Sequence, residues 1–446
     1  MKRILGILVL VVAVIVLGGV GWLVFGPGPL DFAGGQTVAL ADYKEANPTG
    51  VPASLASSDP IARGEYLAQA GDCTACHTVK GGKPFAGGFA FKLPFGTLYS
   101  SNITPDKETG IGAWSDADFL KAVREGVTPD GTHLYPAFPY TSYTMMTDED
   151  VLAVKAYLFS LAPVQQANRP NTFSFPYNQR WLMAFWSAFF NPNERYRPNT
   201  AQSAQWNRGA YIAEAMAHCG DCHTPRSLTQ AMDHRKKFSG AIAAGWKAYN
   251  ITPDKETGIG AWSDDTVAQY LHTGHVEGYG TASGPMGEAV DNSLQHLAPE
   301  DIDALVVYLR TVPALSDPAL PAPKMEPASA SPKEGLTEAD AQGADLFAGN
   351  CASCHGWTGE SPVLTLATFT GARAINDPSA RNVAQAILWG ATRETPQGAA
   401  VMPAFAHAYS DIEIAALANY VTKRFGAAPS AITPAQVTAI RHESAE

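Results

Sequence analysis

The chain has 446 residues, 46% hydrophobic and 16% charged, with 31 Lys and Arg against 42 Asp and Glu and a formal charge of −11. That length predicts two to four domains, with ample apolar side chains for their cores. The acidic balance excludes nucleic acid as a partner.

Taken from the N-terminus, Met1-Lys2-Arg3 precedes a run from Ile4 to Phe25 that carries no charge over 22 residues. At about 1.5 Å rise per residue this is long enough to cross a hydrocarbon core of about 30 Å. Phe25-Gly-Pro-Gly-Pro follows, with no small-residue cleavage pattern, so residues 1–26 read as a retained transmembrane anchor rather than a cleaved signal. Lys2 and Arg3 then place the N-terminus in the cytoplasm and everything after Phe25 outside the inner membrane. Residues 27–58, rich in Gly, Pro, Ala and Ser, read as a tether.

A first domain is predicted over 59–162. Asp59-Pro60 signals a helix start, and Tyr66, Leu67 and Ala70 at helical spacing lead into Cys73-Thr-Ala-Cys76-His77. The same C-x-x-C-H pentapeptide recurs at Cys219, Cys222, His223 and at Cys351, Cys354, His355, and the three copies use all six cysteines. This is the attachment signature of c-type haem: two thiols bond to the porphyrin vinyl groups and the adjacent imidazole becomes the proximal iron ligand. Four residues span about one helical turn, so both sulfurs lie along one edge of the ring and the His aims at the iron. With no cysteine left over for a disulfide or a zinc site, three covalently bound c-type haems are expected. The glycines after His77 (Gly81, Gly82, Gly87, Gly88) let backbone wrap closely over a flat ring. A closing helix is expected after Thr147 or Asp148, with Val151, Leu152, Val154, Tyr157 and Leu158 on its inner face.

Residues 163–202 form a connector with an unusually aromatic stretch, Arg180-Trp-Leu-Met-Ala-Phe-Trp-Ser-Ala-Phe-Phe190. Such a stretch either touches a bilayer, a quinone or a partner subunit, or is a helix packed between domains; the packed helix is the favoured expectation. The second domain, 203–312, duplicates the first. Asn102 to Asp116 recurs identically at Asn250 to Asp264, and Arg208-Gly-Ala-Tyr-Ile212 stands before Cys219 as Arg63-Gly-Glu-Tyr-Leu67 stands before Cys73. Residues 313–336 are a Pro/Ala-rich linker, 337–426 a shorter third domain without the repeated stretch, and 427–446 a polar tail. The predicted fold is mainly α: three cytochrome c-type haem domains in tandem with an N-terminal transmembrane helix.

An electron-transferring haem normally has both axial positions filled, and Met opposite His raises its potential. Met402, in Val-Met-Pro-Ala-Phe405 ahead of a helix near Ser410, is the candidate in the third domain, and Met286, in Ser-Gly-Pro-Met-Gly-Glu288, in the second. In the first domain the matching position holds Phe138, which cannot ligate iron. Met146 is favoured there, then Met145, with His133 a weaker rival. The expected metal ligands are therefore His77, Met146, His223, Met286, His355 and Met402. The remaining histidines, among them His218, His234, His272, His275, His296 and His407, read as surface or packing residues.

The paired Asn-Ile-Thr-Pro-Asp stretches, the Gly-Thr-His-Leu-Tyr-Pro-Ala-Phe-Pro-Tyr140 run and the three C-x-x-C-H motifs together resemble the triple-haem cytochrome c subunits of membrane-bound periplasmic dehydrogenases of acetic acid bacteria and relatives. The resemblance covers residues 59 to 426 and departs at Phe138, where many members carry Met. It implies a respiratory subunit that takes electrons from a catalytic subunit and passes them to membrane ubiquinone. Two settings are known: alcohol dehydrogenases with a pyrroloquinoline quinone subunit, and aldehyde-type dehydrogenases with molybdopterin and iron–sulfur subunits. The second is favoured here, with a small additional subunit alongside.

No catalytic residue is expected in this chain. It has no Gly-rich nucleotide motif after a strand, no Gly-x-Ser-x-Gly and no His-Glu-x-x-His. Two other readings share the haem chemistry: a membrane-tethered shuttle to a terminal oxidase, and a multi-haem peroxidase, which needs one open distal site.

Overall fold

The computed structural model describes residues 26–446 except 56–58, 332–334, 336, 396–397 and 445–446, together with positions 11, 14, 18, 19 and 21. Among the described residues no helix is long and apolar enough to cross a membrane. The expected span from Ile4 to Phe25 lies outside them but for those five positions.

The first unit runs through α1 (Pro60–Ala70), α2 (Cys73–His77), hairpin β1–β2 (Ala90–Leu93, Gly96–Tyr99), α3 (Asp116–Glu125), α4 (Tyr140–Tyr143) and α5 (Asp148–Ser160). Asp59 caps α1 by accepting from the Ile61 amide, and Thr147 caps α5 by accepting from the Asp150 amide, both as expected for short oxygen-bearing side chains at that position. After α6 (Leu182–Phe190) the second unit repeats the pattern as α7 (Ala204–Tyr211), a π-turn (Ile212–Met216), α8 (Gly220–His223), hairpin β3–β4 (Ala241–Ala243, Trp246–Ala248), α9 (Asp264–Thr273), hairpin β5–β6 (His275–Val276, Gly280–Thr281), α10 (Pro285–Asn292) and α11 (Pro299–Leu309). The third holds α12 (Ala341–Asn350), α13 (Ala352–His355), α14 (Arg381–Trp389), hairpin β7–β8 (Ala391–Thr395, Gly398–Met402), α15 (Asp411–Phe425) and α16 (Pro434–Ser444).

In each unit the first helix crosses the closing helix at a glycine. A Cβ on Gly64 would stand 1.8 Å from the Ala153 carbonyl oxygen, on Gly209 1.9 Å from that of Ala304, and on Gly343 2.4 Å from that of Ala416. Only a residue without Cβ lets the two backbones approach so closely. This gives the repeated Arg-Gly-x-Tyr its first meaning; the tyrosine supplies the second. Tyr66 donates across to Asp301 of the second unit at 2.6 Å, and Tyr211 donates back to Asp150 of the first at 2.6 Å. The duplicated units thus grip each other reciprocally. They also share one contiguous apolar core that runs from Tyr66 to Val312, while the third unit has its own, from Phe347 to Ile440.

Two segments differ from expectation. In the tether, residues 27–55 are docked in part: Leu30, Phe32 and Ala33 pack on the shared core, and the Pro48 and Gly50 carbonyls accept from Arg208 at 2.9 and 2.8 Å. The expected polar tail contains α16, whose Val437 and Ile440 are buried in the third core. A low density of apolar residues hid both segments, because three or four well-spaced ones suffice to dock a strand or short helix.

Candidate haem-binding sites

The three pentapeptides fold alike. Cys73, Cys219 and Cys351 stand at the N-termini of α2, α8 and α13, and each motif ends its helix on the histidine. His77 Nδ1 lies 2.7 Å from the Ser101 carbonyl oxygen, His223 Nδ1 2.6 Å from that of Tyr249, and His355 Nδ1 2.6 Å from that of Ala367. A carbonyl can only accept, so Nδ1 carries the proton and the Nε2 lone pair is left free. That is the arrangement of a metal-ligating histidine whose ring is oriented by a bond on its other nitrogen. Burial holds all three imidazoles below their usual pKa, against the opposing pull of the carbonyl, so they stand neutral as an iron ligand must.

None of the six cysteines is in a disulfide. Burial pushes the Cys73 and Cys219 thiols up to about 12 and those of Cys222 and Cys351 to about 11, and raises Cys76 as well. Paired free thiols one turn apart, beside an imidazole locked with Nε2 free, fit a covalently held haem at each motif.

The first two sites face one another. The Cys76 thiol lies within electrostatic reach of Cys222, Ser142 on α4 donates to Asp221 inside the second motif at 3.3 Å, and the Tyr143 and His218 rings meet at 5.5 Å. Two hydrogen bonds near the motif histidines help tie the third site to the second. Thr281 donates to the Leu366 carbonyl, next to the residue that holds His355, at 2.8 Å. Tyr249, whose carbonyl holds His223, donates its hydroxyl to Asp377 at 3.2 Å.

Of the methionines expected as sixth ligands, Met286 opens α10 and Met402 ends β8; both are partly exposed, as are the three motif histidines. Buried Arg393, on the same hairpin as Met402, reaches across to Asp291 on α10 at 2.8 Å and to the Gly274 and Ala282 carbonyls at 3.3 and 3.1 Å. One side chain therefore braces both methionine-bearing segments, and no sequence pattern announced it. Met146 is 4% exposed and sits just before the α5 cap Thr147, inside the shared core. Met145 is partly buried against the same core, and His133 pairs with Val127 in a β-bridge with its Nδ1 buried.

The aromatic connector is a packed helix on one side only. Trp186 on α6 donates to the Thr229 carbonyl at 2.8 Å and Tyr140 shares a 3.0 Å bond with Ser187. Trp181, Phe185 and Phe189, four residues apart and so on one face, are 60%, 60% and 56% exposed, beside exposed Phe175 and Tyr177.

The cytochrome c family model matches residues 61–162 and 341–424. The chain is 38% identical over 400 residues to the gluconate 2-dehydrogenase cytochrome c subunit of Pantoea cypripedii, covering 86% of this chain and 90% of that one. It is 37% identical over 421 residues to the fructose dehydrogenase cytochrome subunit of Gluconobacter japonicus, covering 89% and 85%. A nicotinate dehydrogenase subunit of Pseudomonas putida is 40% identical over 390 residues; the match takes in 87% of this chain but only 32% of that longer protein.

Proposed function

Because the chain belongs to the cytochrome c subunits of dehydrogenases, we propose that it is a three-haem electron-transfer subunit carrying electrons from a periplasmic catalytic subunit to ubiquinone in the inner membrane. The observation that carries this reading is the threefold recurrence of a neutral histidine, Nδ1 bonded to a backbone carbonyl, one residue after a pair of free thiols. Haem iron supplies reversible one-electron chemistry when bound. The chain's own residues attach the ring through Cys73, Cys76, Cys219, Cys222, Cys351 and Cys354, and orient His77, His223 and His355. Met286 and Met402 are the proposed sulfur ligands of the second and third sites. The contacts between the first and second motifs, and between the second and third, hold the sites in one fixed series.

Two features support a membrane setting. Residues 4–25 have the length and apolarity of a span. A Cβ on Gly26, where the chain would leave that span, stands 4.0 Å from the Arg235 guanidinium carbon. The loop that holds Arg235 also contains Thr229, the acceptor for Trp186 of α6, and exposes Leu228 at 88%. The point where the chain would leave the span and the packed side of α6 thus border the same loop, and the opposite side of α6 carries the exposed Trp and Phe that favour the membrane–water boundary. With the full chain reconstituted in vesicles of brominated phospholipid, Trp181 emission is expected to be quenched, and Trp181→Phe should remove that quenched component from the emission of the nine tryptophans. An identical quenched fraction in both proteins would rule out this docking face.

Mild detergent extraction is the test of the whole reading: a dehydrogenase subunit should co-purify, and its substrate should reduce this chain only in its presence. A molybdenum and iron–sulfur subunit identifies an aldehyde-type complex, pyrroloquinoline quinone an alcohol-type one, and a chain recovered alone identifies a shuttle. A pyridine haemochrome assay is expected to find three haems per wild-type chain, and two after Cys219 and Cys222 are both replaced by Ala. An unchanged ratio in that variant would remove the second motif from the proposal.

A further inference from the structure

We infer that the first haem site presents Phe138, and no methionine sulfur, to the distal face of its iron, so that this haem alone has an open position for a small ligand such as carbon monoxide. The inference rests on the haem-binding reading above and on the registration of the duplicated units. Gly126 ends α3 with φ 66° and Gly274 ends α9 with φ 68°, each in the left-handed conformation. Leu134 then donates its amide to the Gly126 carbonyl at 2.7 Å, and Ala282 donates to that of Gly274 at 2.7 Å. The two units are therefore in step through these bonds, and four residues further on they reach Phe138 and Met286. Phe138 lies with its ring 5.5 Å from that of Tyr143. Tyr143 is itself buried within electrostatic reach of both Cys73 and Cys76 and donates to the Gly71 carbonyl at 2.8 Å. The Phe138 ring is thus one ring removed from the attachment motif.

Beyond this point the second unit has a longer helix, and the registration shifts before the closing helices begin. Met146 immediately precedes the cap of α5, as Leu297 immediately precedes Ala298, the cap of α11. Leu297 is 2% exposed and Met146 4%, and both belong to the shared core with the residues at the fourth helical positions, Val151 and Ile302. A buried apolar residue before the cap, paired with one at the fourth helical position, is a hydrophobic staple that sets the entry angle of the chain. In the second unit Leu297 fills that place while Met286 remains available to the haem; Met146 fills it in the first, where Phe138 stands in the ligand position. Met145 matches His296, whose Nε2 turns away to the Asp291 carbonyl at 3.1 Å, and the Met145 carbonyl accepts from Tyr196 at 2.9 Å. His133 matches Thr281, which points to Leu366 of the third unit.

The test uses the full-length holoprotein, with haem counted first. Fewer than three haems per chain would fail the haem-binding reading itself. With three present, one high-spin ferric haem and two low-spin ones are expected by electron paramagnetic resonance, and one equivalent of carbon monoxide should bind the reduced protein. Phe138→Met should convert the high-spin haem to low-spin and abolish carbon monoxide binding. Met146→Leu should change neither signal, since Leu is what the second unit carries there. Three low-spin haems and no carbon monoxide binding in the wild type overturn the inference. So does a high-spin signal that first appears in Met146→Leu, Met145→Leu or His133→Ala, which would name that residue as the ligand.

Discussion

Gly209→Ala is expected to break the second unit. Alanine is the better helix former by about 1 kcal/mol, which on an open helix would stabilise α7. Here the added carbon would stand 1.9 Å from the Ala304 oxygen and 2.5 Å from its carbonyl carbon, and α11 cannot yield without lifting Tyr308, whose Cβ is 2.9 Å away. Overpacking against movable side chains costs about 1–3 kcal/mol, and displacement of a backbone costs more. The clash therefore outweighs the propensity, and a net loss above about 3 kcal/mol is expected, with haem incorporation at Cys219 and Cys222 falling alongside. Chemical denaturation followed by circular dichroism decides it: a variant within about 1 kcal/mol of the parent would mean that the helices have room to separate.

Asp301→Ala should cost about as much by a different route. Arg208 donates to the two oxygens of Asp301 at 2.7 and 2.6 Å, and Tyr66 adds a third bond at 2.6 Å from the other unit. Burial works against the Arg208 charge, and the bonds to Asp301 more than offset it. Without the carboxylate a buried guanidinium is left uncompensated, a loss of about 3–5 kcal/mol. The matching substitution, Asp150→Ala, should cost less. Arg63 stands 3.8 Å from Asp150 and keeps its 2.6 Å bond to Glu149, which is largely exposed. Measured side by side, an Asp150→Ala loss equal to or above that of Asp301→Ala would contradict this ordering.

The tandem helical units, their duplication and the three thiol–imidazole motifs were all legible in the residues, because each depends on local spacing: a helical turn within C-x-x-C-H, a Gly-Tyr pair within Arg-Gly-x-Tyr, and an oxygen-bearing cap at Thr147 or Ser410. The third unit was separable for the same reason, as a linker poor in periodic apolar residues precedes it. What tertiary structure alone decided are the relations between residues far apart in sequence. The carbonyls of Ser101, Tyr249 and Ala367 that fix the histidine tautomers carry no sequence signal, since any residue supplies a carbonyl. Arg393 reads as a surface charge until the fold buries it against Asp291. The tyrosine of Arg-Gly-x-Tyr shows in sequence only its helical spacing, whereas its hydroxyl bonds a carboxylate of the neighbouring unit. Met146 satisfies the composition of a haem ligand, and only the fold shows that it is buried in the shared core just before the α5 cap. Local spacing names the chemistry a chain can perform; which of several suitable side chains reaches the site is a property of packing, and packing is settled between segments rather than within them.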